Sequence, residues 1–367
     1  MRDKSIDALK GLAITLVVLG HATAWTAGLI GKQSWVPSAT APHFVFILIY
    51  SFHMPLFAFV SGYVLYPPRE QPLGTQIMRR VRGLLVPYLS WAVVMRVASQ
   101  AVAPDSSERP GALLLDALLG RGDLSLWFLY ALFICTSVLT CLAFLTRAPR
   151  LRWLLPASAL VIMVRIAGVQ VPNLFFLSDV LWIYPFVVLG YMMRPLKAAI
   201  LNHRWRVVAI GLTAFLPLFY FRYPMFIPRL QPVDRLVVAM HDVGLRGGIA
   251  LSGTLPYLCA TAAVVALYGL YAGRRGRAIE AQAWLGRKSL GIYAIHASAL
   301  KFLFGAGVDN VLLLFAGSLG VSILLTALLE RIPLVNSLLL GQRGARRTHA
   351  ASGPQLPVPT KEDTRAS

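Results

Sequence analysis

Three of the seven histidines in this chain lie inside apolar stretches, where an ionisable ring is costly to bury. The first closes "KGLAITLVVLGH", residues 10–21. Eleven helical residues turn through about three full turns, so Lys10 and His21 share a face about 16 Å apart. With Lys10 at a membrane edge, His21 reaches roughly half depth, where an imidazole faces a cavity or a partner. Such a ring can take and return a proton near neutral pH; a core histidine bonded to a neighbouring helix is the plainer alternative. In "SFHMPLFAFVSGYVL", residues 51–65, His53 reaches a similar depth from the other direction. Ser61 and Gly62 follow nearer the cytoplasm, and Gly62 could admit the close approach of a ligand or a helix. In "RKSLGIYAIH", residues 287–296, Ser289, Tyr293 and His296 fall on one helical face. Each alone suits a structural role. Three histidines from three apolar stretches at comparable depth point to a shared cavity.

A second cluster sits beside the membrane. "MRRVRGLLVPY", residues 78–88, carries Arg79, Arg80 and Arg82 at the start of an apolar stretch. Arginines there set topology and touch lipid headgroups, and their planar forks also fit phosphate oxygens. There is no P-loop or dinucleotide-binding glycine pattern, no H-E-x-x-H, and no convincing nucleophile elbow. A phosphate-binding rim below a buried imidazole suits acyl transfer from a phosphorylated thioester such as acyl-CoA. Phosphoryl transfer normally needs carboxylates around Mg²⁺. Only 15 Asp and Glu occur, few of them in apolar stretches, so no metal is expected.

These groups need helices to carry them. The chain has 367 residues, 57% hydrophobic and 14% charged, with mean hydropathy +0.66. Its apolar residues fall in blocks of membrane-spanning length. We read an all-α, polytopic helical membrane bundle with spans near 8–26, 43–66, 80–102, 124–146, 151–168, 178–194, 205–221, 249–272, 288–306 and 309–330. Placing the N-terminus inside puts 25 of the 35 Lys and Arg on the cytoplasmic side, so both termini are expected there. The net charge of +20 is thus a topology signal, not a nucleic-acid footprint. The first block has no A-x-A cleavage site and reads as a retained span. Cys135, Cys141 and Cys259 lie in apolar blocks as small core residues. The membrane domain is expected over 1–335, with a disordered cytoplasmic tail over 336–367. Of two longer outer loops, near 103–123 and 222–248, the second could shape a polar ligand site with Arg222, Arg229, Asp234, Arg235, His241, Asp242 and Arg246.

The motifs "IDALKGLAITLVVLGH", "FHMPLFAFVSGY", "RRVRGLLVPY", "LWFLYALF" and "LGRKSLGIYAIH" occur in that order. With them the chain resembles the acyltransferase-3 membrane O-acyltransferases over roughly residues 3–330, especially the branch near fucose 4-O-acetylases and exopolysaccharide acetyltransferases. The resemblance implies ten spans in a bacterial plasma membrane. It implies a cytoplasmic acyl-CoA donor, usually acetyl-CoA, and a sugar hydroxyl acceptor on a polysaccharide or lipid-linked glycan. His21 is then the essential general base or transient acyl carrier, with Lys10 as its basic partner. Arg79 and Arg82 become donor contacts. Ser61 and Tyr293 are expected beside the donor, and His53, His296 and Trp127 toward the sugar. Many members carry Arg where Lys10 stands, and lysine keeps the charge without the fork. No fused hydrolase-like domain follows the core, so acceptor delivery is expected through the core or a partner of polysaccharide assembly. A proton-coupled flippase for lipid-linked glycan, or a structural partner in an assembly complex, are the competing classes.

Overall fold

The structure, a computed structural model, describes residues 3–29, 41–66, 70–102, 110–120, 126–145, 151–167, 174–222 and 246–342. Among these residues every regular element is a helix. A helix falls in each of the ten apolar segments. Among the described residues, seven helical stretches are long and apolar enough to cross a bilayer: Lys4–Thr26, His43–Tyr63, Leu73–Ala98, Trp127–Leu145, Arg204–Arg222, Gly253–Tyr271 and Val311–Leu329. Leu177–Met193 and Ser289–Gly305 are apolar but shorter. The chain is therefore a multi-pass helical membrane protein.

α1 (Lys4–Thr26) is the central rod. It starts where Asp3 Oδ1 accepts from the Ser5 N–H at 3.1 Å, an N-cap that satisfies one orphan donor. The second apolar segment is not one helix. α2 (Ala41–Tyr50) stops at Ser51 and Phe52, and α3 (His53–Tyr63) restarts there. Ser51 Oγ donates to the Leu48 carbonyl at 2.7 Å, and Pro55 sits in the first turn of α3, where its missing N–H is not needed. The break makes His53 the first residue of its helix and sets Tyr50 beside it. α4 (Leu73–Arg80) runs through a π-helical turn (Val81–Leu85) into α5 (Val86–Val102), so the arginine cluster straddles an irregular turn.

The chain continues through α6 (Pro110–Leu119), α7 (Trp127–Leu145), α8 (Leu151–Ile166), α9 (Leu177–Met193), α10 (Lys197–Asn202), α11 (Arg204–Arg222) and α12 (Arg246–Tyr271). α13 (Arg277–Arg287), α14 (Ser289–Gly305), α15 (Val311–Leu329) and α16 (Pro333–Leu340) complete it. The helix α6 lies within the first of the longer loops, the one near 103–123 expected outside. Residues 223–245 of the second lie outside the described residues. α16 corrects the domain boundary at 335: residues 336–340, expected in a disordered tail, continue a helix that packs on α5, where Trp91 Nε1 donates to the Leu339 carbonyl at 2.9 Å. Residues 343–367 lie outside the described residues. Cys135 and Cys259 are buried and unlinked, as small core residues.

Apolar helices in lipid gain little from hydrophobicity alone, so close backbone packing holds them. A Cβ at Gly62 would overlap the Val187 carbonyl, and one at Gly190 the Phe59 carbonyl, so α3 and α9 touch backbone to backbone. Gly11 and Gly286 do the same for α1 and α13: a Cβ on either would strike the partner helix's main chain. At one end of the bundle, ion pairs tie Asp3 to Lys197 at 2.6 Å, Lys4 to Glu280 at 2.8 Å and Lys288 to Glu330. The exposed indoles of Trp205 and Trp284 lie at the same end, under Arg204 and Lys288 at 5.0 and 5.3 Å. Aromatic rings and basic groups together mark a membrane–water boundary.

Candidate active site

Next to the charged end, α1, α3, α4, α7 and α14 enclose a cavity of about 210 Å³. Its polar wall is Lys10, Ser61, Arg80, Thr136, Ser289 and Tyr293. Phe57, Phe128, Leu129 and Leu132 supply much of the apolar remainder. The helical repeat explains the selection. Ser289 and Tyr293 are one turn apart on α14, and Lys10 opens its face of α1 opposite them. Ser61 Oγ donates to the Phe57 carbonyl at 2.9 Å, its usual bond inside a helix.

The structure divides the arginine cluster. Arg80 forms the cavity wall, its Nε donating to the Thr136 carbonyl at 3.1 Å and its Nη1 to the Gln76 carbonyl at 2.8 Å. Arg79 and Arg82 lie outside that wall, and Arg82 is exposed in the π turn. Three arginines in four residues point in three directions, so composition could not say which one faces inward.

Beyond Tyr293 the three buried histidines converge. The His21 and His296 ring centroids are 5.0 Å apart at 65°. Tyr50 stands 6.0 Å from His21 and 4.6 Å from His53. Tyr293 is 5.8 Å from His296 and 6.2 Å from Phe128, so it links the cavity wall to the cluster. His53 and His296 are 2% and 1% exposed, and His21 is half-buried. Trp127 stands apart, its ring 5.7 Å from Phe128 and none of it in the cavity wall.

All three imidazoles are held alike. His21 Nδ1 meets the Val17 carbonyl at 2.9 Å, His53 Nδ1 the Ile49 carbonyl at 2.9 Å, and His296 Nδ1 the Tyr293 carbonyl at 2.6 Å. A carbonyl only accepts, so each Nδ1 carries the hydrogen and each neutral ring keeps its lone pair on Nε2. Residue spacing does not signal Tyr50, which stands beside the cluster because the helix breaks before His53. Nothing in its motif separates Phe128 from the other aromatics.

Residues 3–331 match the family model described as an acyltransferase domain. The chain belongs to the acyltransferase-3 family. It is 31% identical over 228 residues to nodulation protein NolL of Mesorhizobium japonicum, covering 59% of this chain and 55% of that protein. It is also 31% identical over 200 residues to nodulation protein NolL of Sinorhizobium fredii, covering 52% and 48%. The chain thus spans about half the length of these relatives. No solved structure matches it.

Proposed function

We propose that this acyltransferase-3 chain is a membrane O-acyltransferase of the bacterial plasma membrane. In this reading it moves an acyl group, acetyl before larger ones, from cytoplasmic acyl-CoA to a sugar hydroxyl of a surface or secreted polysaccharide or its lipid-linked precursor. Ten spans with both termini inside complete the reading. Its support is that each ion pair at the charged end joins residues that the basic-loop count assigns to one side.

One observation carries the proposal: a cavity with Lys10 and Arg80 in its wall shares Tyr293 with the histidine cluster, in which His296 packs on a His21 imidazole whose Nδ1 is tied down and whose Nε2 carries the lone pair. Lys10 and Arg80 would hold the negative charge of the donor, while the apolar wall suits a pantetheine arm and acyl chain. Arg79 and Arg82 would contribute at the rim, outside the wall. His21 would act on the acyl carbon or the acceptor hydroxyl, in a setting that limits hydrolysis. His53 and Trp127 are proposed on the acceptor side.

The test compares surface and secreted polysaccharide from a deletion strain complemented with wild type or His21→Ala, by NMR and mass spectrometry. One O-acyl signal should return with wild type and stay absent with His21→Ala, although the variant inserts normally. Unchanged acylation in the deletion strain, with glycan trapped inside, would replace the proposal with transport.

A further inference from the structure

Resting on the O-acyltransferase reading, we propose that His296 is a second catalytic residue, the base that takes the proton of the acceptor hydroxyl while His21 carries the acyl group. The observation is a buried atom without a partner. His296 Nε2 has no hydrogen bond in the described structure, and its side chain is 1% exposed. Buried polar atoms are nearly always paired; of the few among the described residues that are not, this one belongs to the ring that packs on His21. The ring cannot turn to relieve it. Nδ1 is anchored on the Tyr293 carbonyl, and Ser318 Oγ donates to the His296 backbone carbonyl at 3.0 Å, pinning α14 to α15. Among the described residues, His296 is the imidazole packed on His21, at 5.0 Å against 6.0 Å for the Tyr50 ring; His53 lies 4.6 Å from Tyr50.

The chemistry requires two bases if His21 is acylated. His21 has one free lone pair, on Nε2, because Nδ1 donates its hydrogen to Val17. Once that pair forms the N–C bond, His21 can accept no proton. In the first half-reaction, Nε2 of His21 attacks the thioester carbonyl, the C–S bond breaks, and the thiolate leaves with the electron pair. The acyl-imidazolium keeps its Nδ1–H. In the second, the acceptor oxygen attacks the acyl carbon and its proton passes to His296 Nε2. The C–N bond breaks and its pair returns to His21. His296 then gives its proton to the thiolate, so one thioester and one alcohol become one ester and one thiol.

The test separates the half-reactions. His296→Asn keeps an amide N–H near the Nδ1 position, so the anchor to the Tyr293 carbonyl survives while Nε2 is deleted. Full-length protein in lipid nanodiscs is mixed with acetyl-CoA, and free thiol is counted, first alone and then with polysaccharide from the deletion strain as acceptor. His296→Asn should release close to one thiol per chain at the wild-type rate, then form ester about 10²- to 10⁴-fold more slowly. His21→Ala should release none. Wild-type ester formation by His296→Asn, or loss of its thiol burst, overturns the proposal. If neither His296→Asn nor His296→Gln assembles like the wild type, His296 is a packing residue and the proposal also fails. A wild type that releases no thiol and forms no ester overturns the acyltransferase reading itself.

Discussion

Gly11→Ala tests whether the position of α1 governs the site. The added Cβ would overlap the carbonyl oxygen of Gln282 and lie 2.7 and 3.1 Å from that residue's carbonyl carbon and Cα. These are main-chain atoms of α13 and cannot rotate away. Ordinary contact is about 3.5–4.0 Å, so the two helices must part locally by roughly 1 Å or more. Overpacking of this kind costs about 1–3 kcal/mol, a sizeable share of a typical folding stability of about 5–15 kcal/mol. The functional cost should be larger than the loss of stability suggests. Gly11 adjoins Lys10, and the same helix carries His21, so α1 moves relative to the cavity wall and to His296. A displacement of about 1 Å in a reacting pair can cost around 100-fold in rate. The assay is thermal melting in detergent beside the rate of O-acyl transfer for Gly11→Ala. Gly320→Ala is the control, because nothing lies within 4 Å of its added Cβ. An alanine in that helix interior should leave activity intact and raise stability by up to about 1 kcal/mol. A Gly11→Ala protein that melts and transfers like the wild type would refute the reasoning, because no backbone contact would then be setting the place of His21.

The remaining predictions concern charge. Arg80→Ala removes a cavity-wall guanidinium; a lost charged contact of about 1.5–3 kcal/mol raises the KM for acyl-CoA about 10- to 150-fold with kcat little changed. Arg82→Ala, exposed in the π turn, should do less, and the reverse order in KM measurements would return the donor contact to Arg82. The Lys4 ammonium beside Glu280 holds that carboxyl below its ordinary range. Its folded pKa is therefore depressed, so the pair contributes above the ordinary carboxylate range and is lost as pH falls through the folded value. Melting of Lys4→Ala should trail the wild type slightly at pH 7 in low salt and match it in strong acid or high salt, because both groups are exposed. A gap that persists in acid would show that Lys4 acts by other means.

Residue type and spacing alone determined the helical membrane class, the apolar segments in which helices lie, and which ionisable groups, Lys10, His21 and the other two buried histidines, stand within them. The physical reason is local. A bilayer demands apolar runs of fixed length, and an ionisable group inside one stands out without any knowledge of its neighbours. The family followed because several motifs occur in order. What spacing could not decide was which groups meet. Of three arginines within four residues, packing against α7 brought Arg80 to the wall. His53 and Tyr50 became neighbours because the helix breaks at Ser51 and Phe52. The orphaned Nε2 of His296 exists because α1, α14 and α15 close around it. Such outcomes depend on the rotation of each helix about its axis and on backbone contacts such as Gly11 with α13. Those are set between segments far apart in the chain, and only the tertiary structure contains them.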